Sequence, residues 1–176
     1  MKKIFAGLIF ILFNVNVTLG GYMIGLLPAF LGYLLVAAGL KEVWQEEGIF
    51  ENLVPLALEI AVFTGVIYLI QLLPMTRREG LLAVLNILAA LCFFAMTYKI
   101  TDGIKALEKK HLCTLSARRL VPLAGAYTVC KIAAQLLAMM NNGLEIVVTV
   151  VTLAVAFIFI VTFYDTTNKY RYLQHI

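Results

Sequence analysis

The sequence predicts an all-α integral membrane bundle of six transmembrane helices, arranged as three hairpins with both termini cytoplasmic. Three observations carry this. Of the 176 residues, 62% are hydrophobic and the mean hydropathy is +0.95, whereas a soluble domain carries about 45 to 50% apolar residues. The apolar residues form continuous runs over 4–19, 23–40, 53–74, 81–100, 120–140 and 144–164, near the length that crosses a bilayer and unlike the short alternating strands of a barrel. Lys2, Lys3, Lys41, Lys99, Lys105, Lys109, Lys110, Arg118, Arg119, Lys169 and Arg171 fall at one set of connections and only Arg77 and Arg78 at the other, the positive-inside pattern. The net charge of +4 is therefore a topology signal, and no nucleic-acid partner is expected. The segments between runs are too short for a soluble catalytic domain, so 1–176 reads as one transmembrane domain in a cell membrane.

The first run follows Lys2 and Lys3 and is read as a retained anchor, because Asn14 and Asn16 interrupt it before any cleavage site and a second run follows at once. Gly20-Gly21-Tyr22 joins it to the second run. There Gly25, Ala29, Gly32 and Gly39 form a small-residue stripe, which lets another backbone approach closely in lipid; Gly7 of the first span is the expected partner.

The second run also contains Leu27-Pro28-Ala29-Phe30-Leu31-Gly32-Tyr33-Leu34-Leu35, followed by Gly39-Leu40. This resembles the signature of a family of small bacterial polytopic membrane proteins of unknown function, whose usual form reads Leu-Pro-Asp-Phe-Ile-Gly-Tyr-Ile-Leu and then Gly-Leu. Ala29 stands where such relatives carry aspartate. If that acid were functional, this chain has lost the function; if it caps the helix after the proline, little changes. The resemblance covers the first hairpin, implies a six-helix bacterial membrane protein and supplies no chemistry.

The third run opens with Leu53-Val54-Pro55-Leu56-Ala57, repeated at the head of the fifth as Leu120-Val121-Pro122-Leu123-Ala124. The pair reads either as an internal repeat or as proline favoured in a first helical turn. Glu59 in the third run and Lys131 in the fifth are charges inside apolar spans, each costing about 2.5 to 3.5 kcal/mol near a helix centre, so both should face protein or water. Their depths, about 9 and 16 Å from the inner end at 1.5 Å per residue, allow an intramembrane ion pair between them.

Polar stripes mark three spans: Asn86, Ala90, Phe93 and Thr97 in the fourth, Tyr127, Thr128 and Gln135 around Lys131 in the fifth, and Glu145, Thr149, Thr152 and Ala156 in the sixth. Near the outer surface, Asn14, Asn16, Tyr22, Asn141, Asn142 and Glu145 form a candidate outward polar site. The 14–28 segment, with its Gly20-Gly21 break, reads as an interrupted helix of the kind transporters use. On the inner side, 41–52 is acidic through Glu42, Glu46, Glu47 and Glu51, while 101–119 is basic. Ile104, Leu107 and Leu112 are expected to rest that basic segment on anionic lipid headgroups, with Trp44, Tyr170 and Tyr172 as interface anchors; a cytoplasmic or membrane protein partner is the alternative occupant.

Ser116, His111, His175, Asp102 and Asp165 all lie at span ends or in connections, so neither a serine-protease nor an aspartyl site can be assembled within the spans. Cys92, Cys113 and Cys130 form no C-x-x-C pair and no metal-ligand spacing is present. No catalytic residue, metal or cofactor is expected. Two classes are left. The favoured one is a solute-binding or transport membrane subunit, similar in size and topology to the substrate-binding components of energy-coupling-factor transporters; the other is a non-catalytic membrane interaction, assembly or regulatory protein.

Overall fold

A computed structural model describes residues 1–13, 16–19, 22–25, 27–47, 50–72, 79–140 and 143–173. Its elements are α1 (Lys2–Leu12), β1 (Asn16–Leu19), β2 (Tyr22–Gly25), α2 (Ala29–Glu47), α3 (Leu53–Leu72), α4 (Glu79–Lys110), α5 (Ala117–Met139) and α6 (Leu144–Leu173). Each helix packs against its neighbours in the chain and α6 returns to α1, so the six helices enclose a common interior.

The first two expected spans are redrawn. Helix α1 ends at Leu12 rather than Leu19; its 11 residues rise only about 16 Å, half a hydrocarbon core. Within the expected interrupted helix over 14–28, the described residues are instead two antiparallel strands in which Asn16 pairs with Gly25, Val17 with Ile24, Thr18 with Met23 and Leu19 with Tyr22. The reason is local. Val17, Thr18 and Ile24 are β-branched, and a Gly-Gly dipeptide between two such runs is a two-residue hairpin signal. The second helix starts after Pro28, which cannot continue a helix from its preceding residue, and runs past Leu40 to Glu47.

Helices α1 and α2 are antiparallel and close. A Cβ added to Gly32 would lie 2.7 Å from Cγ1 of Ile11, one added to Gly7 would lie 2.7 Å from Cγ2 of Val36, and one added to Gly39 would lie 2.7 Å from the backbone nitrogen of Ile4. Lys3 and Glu42 pair at the end of this contact. The small-residue stripe thus packs within the chain through Gly32 and Gly39. Gly25, by contrast, lies in β2 and not on the helix.

Helices α3 to α6 are each long and apolar enough to cross a membrane. Their outward positions are uncovered hydrophobics, among them Val62, Leu69, Val84, Val129, Ile146, Val150 and Phe157, a larger apolar exterior than water-soluble monomers present. Inward, Phe93 meets Tyr127 edge to face at 5.1 Å and Phe159 at 6.2 Å, tying α4, α5 and α6 together, while Phe5 and Tyr164 at 5.5 Å close α6 onto α1. Thr64, Thr128 and Thr152 return their hydroxyls to the carbonyls of Ile60, Ala124 and Val148 in their own helices, which satisfies a polar group inside an apolar segment.

Helices α4 and α6 run beyond their expected ends at Ile100 and Tyr164. At about 1.5 Å per residue the 32 residues of α4 rise about 48 Å, well past a core of about 30 Å. The added turns do not present Ile104 and Leu107 to a surface: both are fully buried, and Phe50 packs on Gly103, while Leu112 is 94% exposed. The apolar stripe expected to face headgroups is thus largely used inside the protein. The turn into α5 is tied down by Glu108, whose carboxylate accepts from the Leu115 N–H at 2.6 Å and the Ala117 N–H at 3.3 Å, and by Thr166 of α6, which donates to the Leu115 carbonyl at 2.7 Å. Leu112 and Ser116 reverse the chain with φ of 50° and 65°. Helix α5 therefore begins at Ala117, which places Pro122 inside the helix instead of in its first turn.

Candidate functional site

Polar groups inside an apolar bundle are costly to bury, so their placement marks where the interior departs from simple packing. Helix α5 presents Tyr127, Lys131 and Gln135 at four-residue spacing, one above another on a single face. That face borders two cavities. The larger of these two, about 360 Å³, lies between α5 and α6 and is bordered by Leu12 and Phe13 from the end of α1; it is lined by Tyr127, Lys131, Ala134, Gln135 and Ala138 on α5 and by Glu145, Thr149, Thr152 and Leu153 on α6. The smaller, about 130 Å³, lies toward α2, α3 and α4 and is lined by Ala29, Tyr33, Thr64, Asn86, Ala90 and Phe93 together with the same Tyr127, Lys131 and Gln135. Lys131 therefore stands where the two cavities meet.

The three polar stripes of the fourth, fifth and sixth spans converge here. Asn86, Ala90 and Phe93 reach the smaller cavity, Glu145, Thr149 and Thr152 the larger, and the Lys131 face lies between. Helical periodicity accounts for this, because residues four apart share one face and the ring order places α5 between α4 and α6.

The expected Glu59–Lys131 pair does not form. Helices α3 and α5 have no packing contact, because α4 stands between them in the ring. On α3 the inward positions are Ala57, Ile60, Ala61, Thr64, Ile67 and Gln71; at about 100° per residue Glu59 points away from that stripe, and it is exposed. The Nζ of Lys131 instead lies 5.9 Å from the centre of the Tyr127 ring, at the outer reach of a cation–π contact. Ion pairs form elsewhere, as in Lys3–Glu42, Lys105–Asp102 and Lys169–Asp165, and among the described residues none includes Lys131 or Glu145.

Of the candidate outward polar residues, Glu145 joins the larger cavity. Asn16 and Tyr22 belong to the paired strands β1 and β2, and Asn14, Asn141 and Asn142 lie outside the described residues. Ala29, expected on the packing stripe, lines the smaller cavity. Leu12, Phe13, Tyr33 and Thr64 were not singled out as site residues. Thr64 could have been found as a polar side chain in an apolar run, whereas Leu12 and Phe13 carry no signal, since only the early end of α1 turns them toward α6.

A third cavity, about 890 Å³, opens at the opposite end of the bundle, where Met1, Lys2 and Phe5 meet Glu42, Tyr164 and Arg171. The exposed Lys109, Lys110, Arg118 and Arg119 belong to this end of α4 and α5. In the turn between those helices, Cys113 has its thiol pKa pushed above the usual 9.0 by burial and by the nearby Glu108 carboxylate. Compared with protein-family models, curated proteins and solved structures, the chain matches none of them.

Proposed function

We propose that this chain is a multi-pass cell-membrane protein of six membrane segments in three hairpins, with both termini cytoplasmic, and that it is a non-catalytic solute-binding or transport subunit whose interior cavity holds a small polar molecule. The observation that carries this reading is Lys131: a half-buried ammonium group on an apolar helix, without an ion-pair partner among the described residues, at the junction of two cavities. An interior charge with no counter-charge is expensive unless water or a ligand reaches it. The cavity volume of about 360 Å³ falls at the small end of the range for small-molecule sites.

The short first helix is compatible with a membrane segment. The 11-residue α1 rises about 16 Å and a four-residue strand about 13 Å, together near the thickness of the hydrocarbon core. The β2 strand packs against α3, which gives one side of this backbone a protein neighbour, as non-helical backbone at membrane depth requires. The inside-weighted lysines and arginines support the orientation, and the exposed Lys109, Lys110, Arg118 and Arg119 suit an anionic headgroup surface.

Aqueous access tests the reading. In a Lys131→Cys variant held in vesicles, a charged, membrane-impermeant methanethiosulfonate reagent should label position 131 from one side, and Gln135→Cys should follow the same sidedness. Labelling of neither from either side would refute a solute cavity. Cys92, Cys113 and Cys130 are replaced beforehand so that the label reports one position.

One observation favours a second reading, assembly with another membrane protein. Glu59 is exposed among outward Leu58, Val62 and Val66, where a carboxylate in contact with lipid is disfavoured. A stoichiometric partner retained by the native chain and lost from Glu59→Leu during purification would favour assembly over solute binding.

A further inference from the structure

We infer that the solute held in the cavity of about 360 Å³ between α5 and α6 is a compact zwitterion of the amino-acid class, with its carboxylate on Lys131 and its ammonium toward Glu145. The inference rests on the solute-cavity reading and deepens it.

The larger cavity is bordered by one cationic and one anionic side chain, Lys131 and Glu145, and they do not pair with each other among the described residues. Their placement explains why. Along α6, Glu145 lies in the first turn while Thr149 and Thr152 lie one and two turns deeper; along α5, Gln135 and Ala138 lie above Lys131 toward the same end. Lys131 thus belongs to the deep part of the cavity and Glu145 to its mouth, with their backbones separated by about 10 Å along the bundle at 1.5 Å per residue. The Lys131 ammonium leans toward Tyr127, one turn deeper still, and Glu145 leans toward the start of α6, so the two charged groups stand apart within the cavity, beyond ion-pair reach, and a small molecule that carries both signs can lie between them.

A simple anion would neutralise Lys131 and leave Glu145 facing its own negative charge. A simple cation would do the reverse. Only a ligand with both groups, oriented carboxylate inward, gives each charge an opposite neighbour at once, and charge-assisted hydrogen bonds of this kind are the strong ones. Gln135 and Thr149 border the same space and supply neutral hydrogen-bonding groups between the two poles. Ala134, Ala138 and Leu153 leave room for an apolar body, so a branched aliphatic amino acid is the matched probe.

The test is ligand-dependent thermal stabilisation of the purified full-length chain in detergent with three molecules of one shape: leucine, 4-methylpentanoate, which lacks the ammonium, and 3-methylbutylamine, which lacks the carboxylate. Leucine should stabilise the chain at concentrations at least tenfold lower than either half-molecule. The Lys131→Met variant should lose the response to leucine and the carboxylate, and Glu145→Gln should lose the preference for leucine over the carboxylate. Equal potency of 4-methylpentanoate would overturn the zwitterion in favour of an anion site, and equal potency of the amine would overturn it in favour of a cation site, both leaving the cavity reading intact. No response to any of the three also overturns it; side-selective labelling at position 131 then still decides the cavity reading independently. Because Glu145→Gln preserves size and hydrogen bonding, its unliganded melting temperature also reports whether a lost response reflects binding or misfolding.

Discussion

Replacing Gly32 by alanine should loosen the contact between α1 and α2, and Gly65 provides its control. Both glycines lie inside helices, so alanine brings each the same gain in helix propensity, about 1 kcal/mol. They differ in what the new methyl meets. At Gly32 it would lie 2.7 Å from Cγ1 of Ile11 and 3.0 Å from Cβ of Phe10, with the Gly7 carbonyl oxygen at 2.6 Å; at Gly65 the nearest atom is Cβ of Phe30 at 3.8 Å. Carbon atoms pack best at about 3.5 to 4.0 Å, so Gly65 accepts the methyl without movement whereas α1 must retreat from Gly32 by about 0.5 to 1 Å, forfeiting a quarter to a half of each pair attraction along the contact. Overpacking of this kind costs about 1 to 3 kcal/mol. The difference between the two variants, in which the propensity gain cancels, is therefore about 1 to 3 kcal/mol, or about 2 to 12 °C in Tm for a chain of this size. Thermal unfolding in one detergent, followed by circular dichroism, measures it. Equal melting temperatures, or a Gly32→Ala variant more stable than Gly65→Ala, would show that α1 and α2 are not in backbone contact and that the glycines serve another purpose.

Three further outcomes are expected. Glu108→Ala should cost about 1 to 3 kcal/mol, because the Leu115 and Ala117 amides lose their acceptor; amide exchange should accelerate at those two positions, and Glu108→Gln, which keeps a carbonyl oxygen, should be milder. The Cys113 thiol holds its proton more tightly in the folded chain, so its alkylation rate should rise with pH through a midpoint above that of the unfolded chain and match that of a free thiol only after unfolding. By linkage, the stability this thiol contributes is fully present below its unfolded pKa and is lost as pH rises through the higher folded value; a folded midpoint at or below the unfolded one would contradict this. Ala29→Asp places a carboxylate in the cavity that Lys131 also lines, so it should be tolerated in the native background and destabilising in Lys131→Met; a double-mutant cycle should give a coupling of about 0.5 to 3 kcal/mol, and additive effects would separate the two residues.

Much of the architecture was legible in the chain because it depends on composition and period alone. The starts of α3 and α6 follow from apolar runs, and the stripes on α4, α5 and α6 follow from four-residue spacing. The first two spans were misread because an apolar run does not distinguish helix from strand. The Gly20-Gly21 dipeptide between β-branched residues was the local sign in the sequence that the flanking segments pair as strands. The extra turns of α4 were hidden for a different reason. Lys105, Lys109 and Lys110 look like a surface, yet the neighbouring Ile104 and Leu107 are buried in the same core as Phe50, which comes from elsewhere in the sequence to pack on Gly103.

The two charges show the division most clearly. Sequence alone determined that Glu59 and Lys131 lie within apolar segments and that each needs an explanation, since the cost of charge in lipid depends only on residue type and depth. It could not determine that they stay apart. Whether two helices touch depends on the order in which the ring closes, and that order depends on close approaches such as Gly7 to Gly32, Phe93 to Tyr127 and Phe5 to Tyr164. These long-range contacts place α4 between α3 and α5, turn Glu59 outward, and leave Lys131 and Glu145 on one cavity that periodicity could orient but only tertiary packing could form.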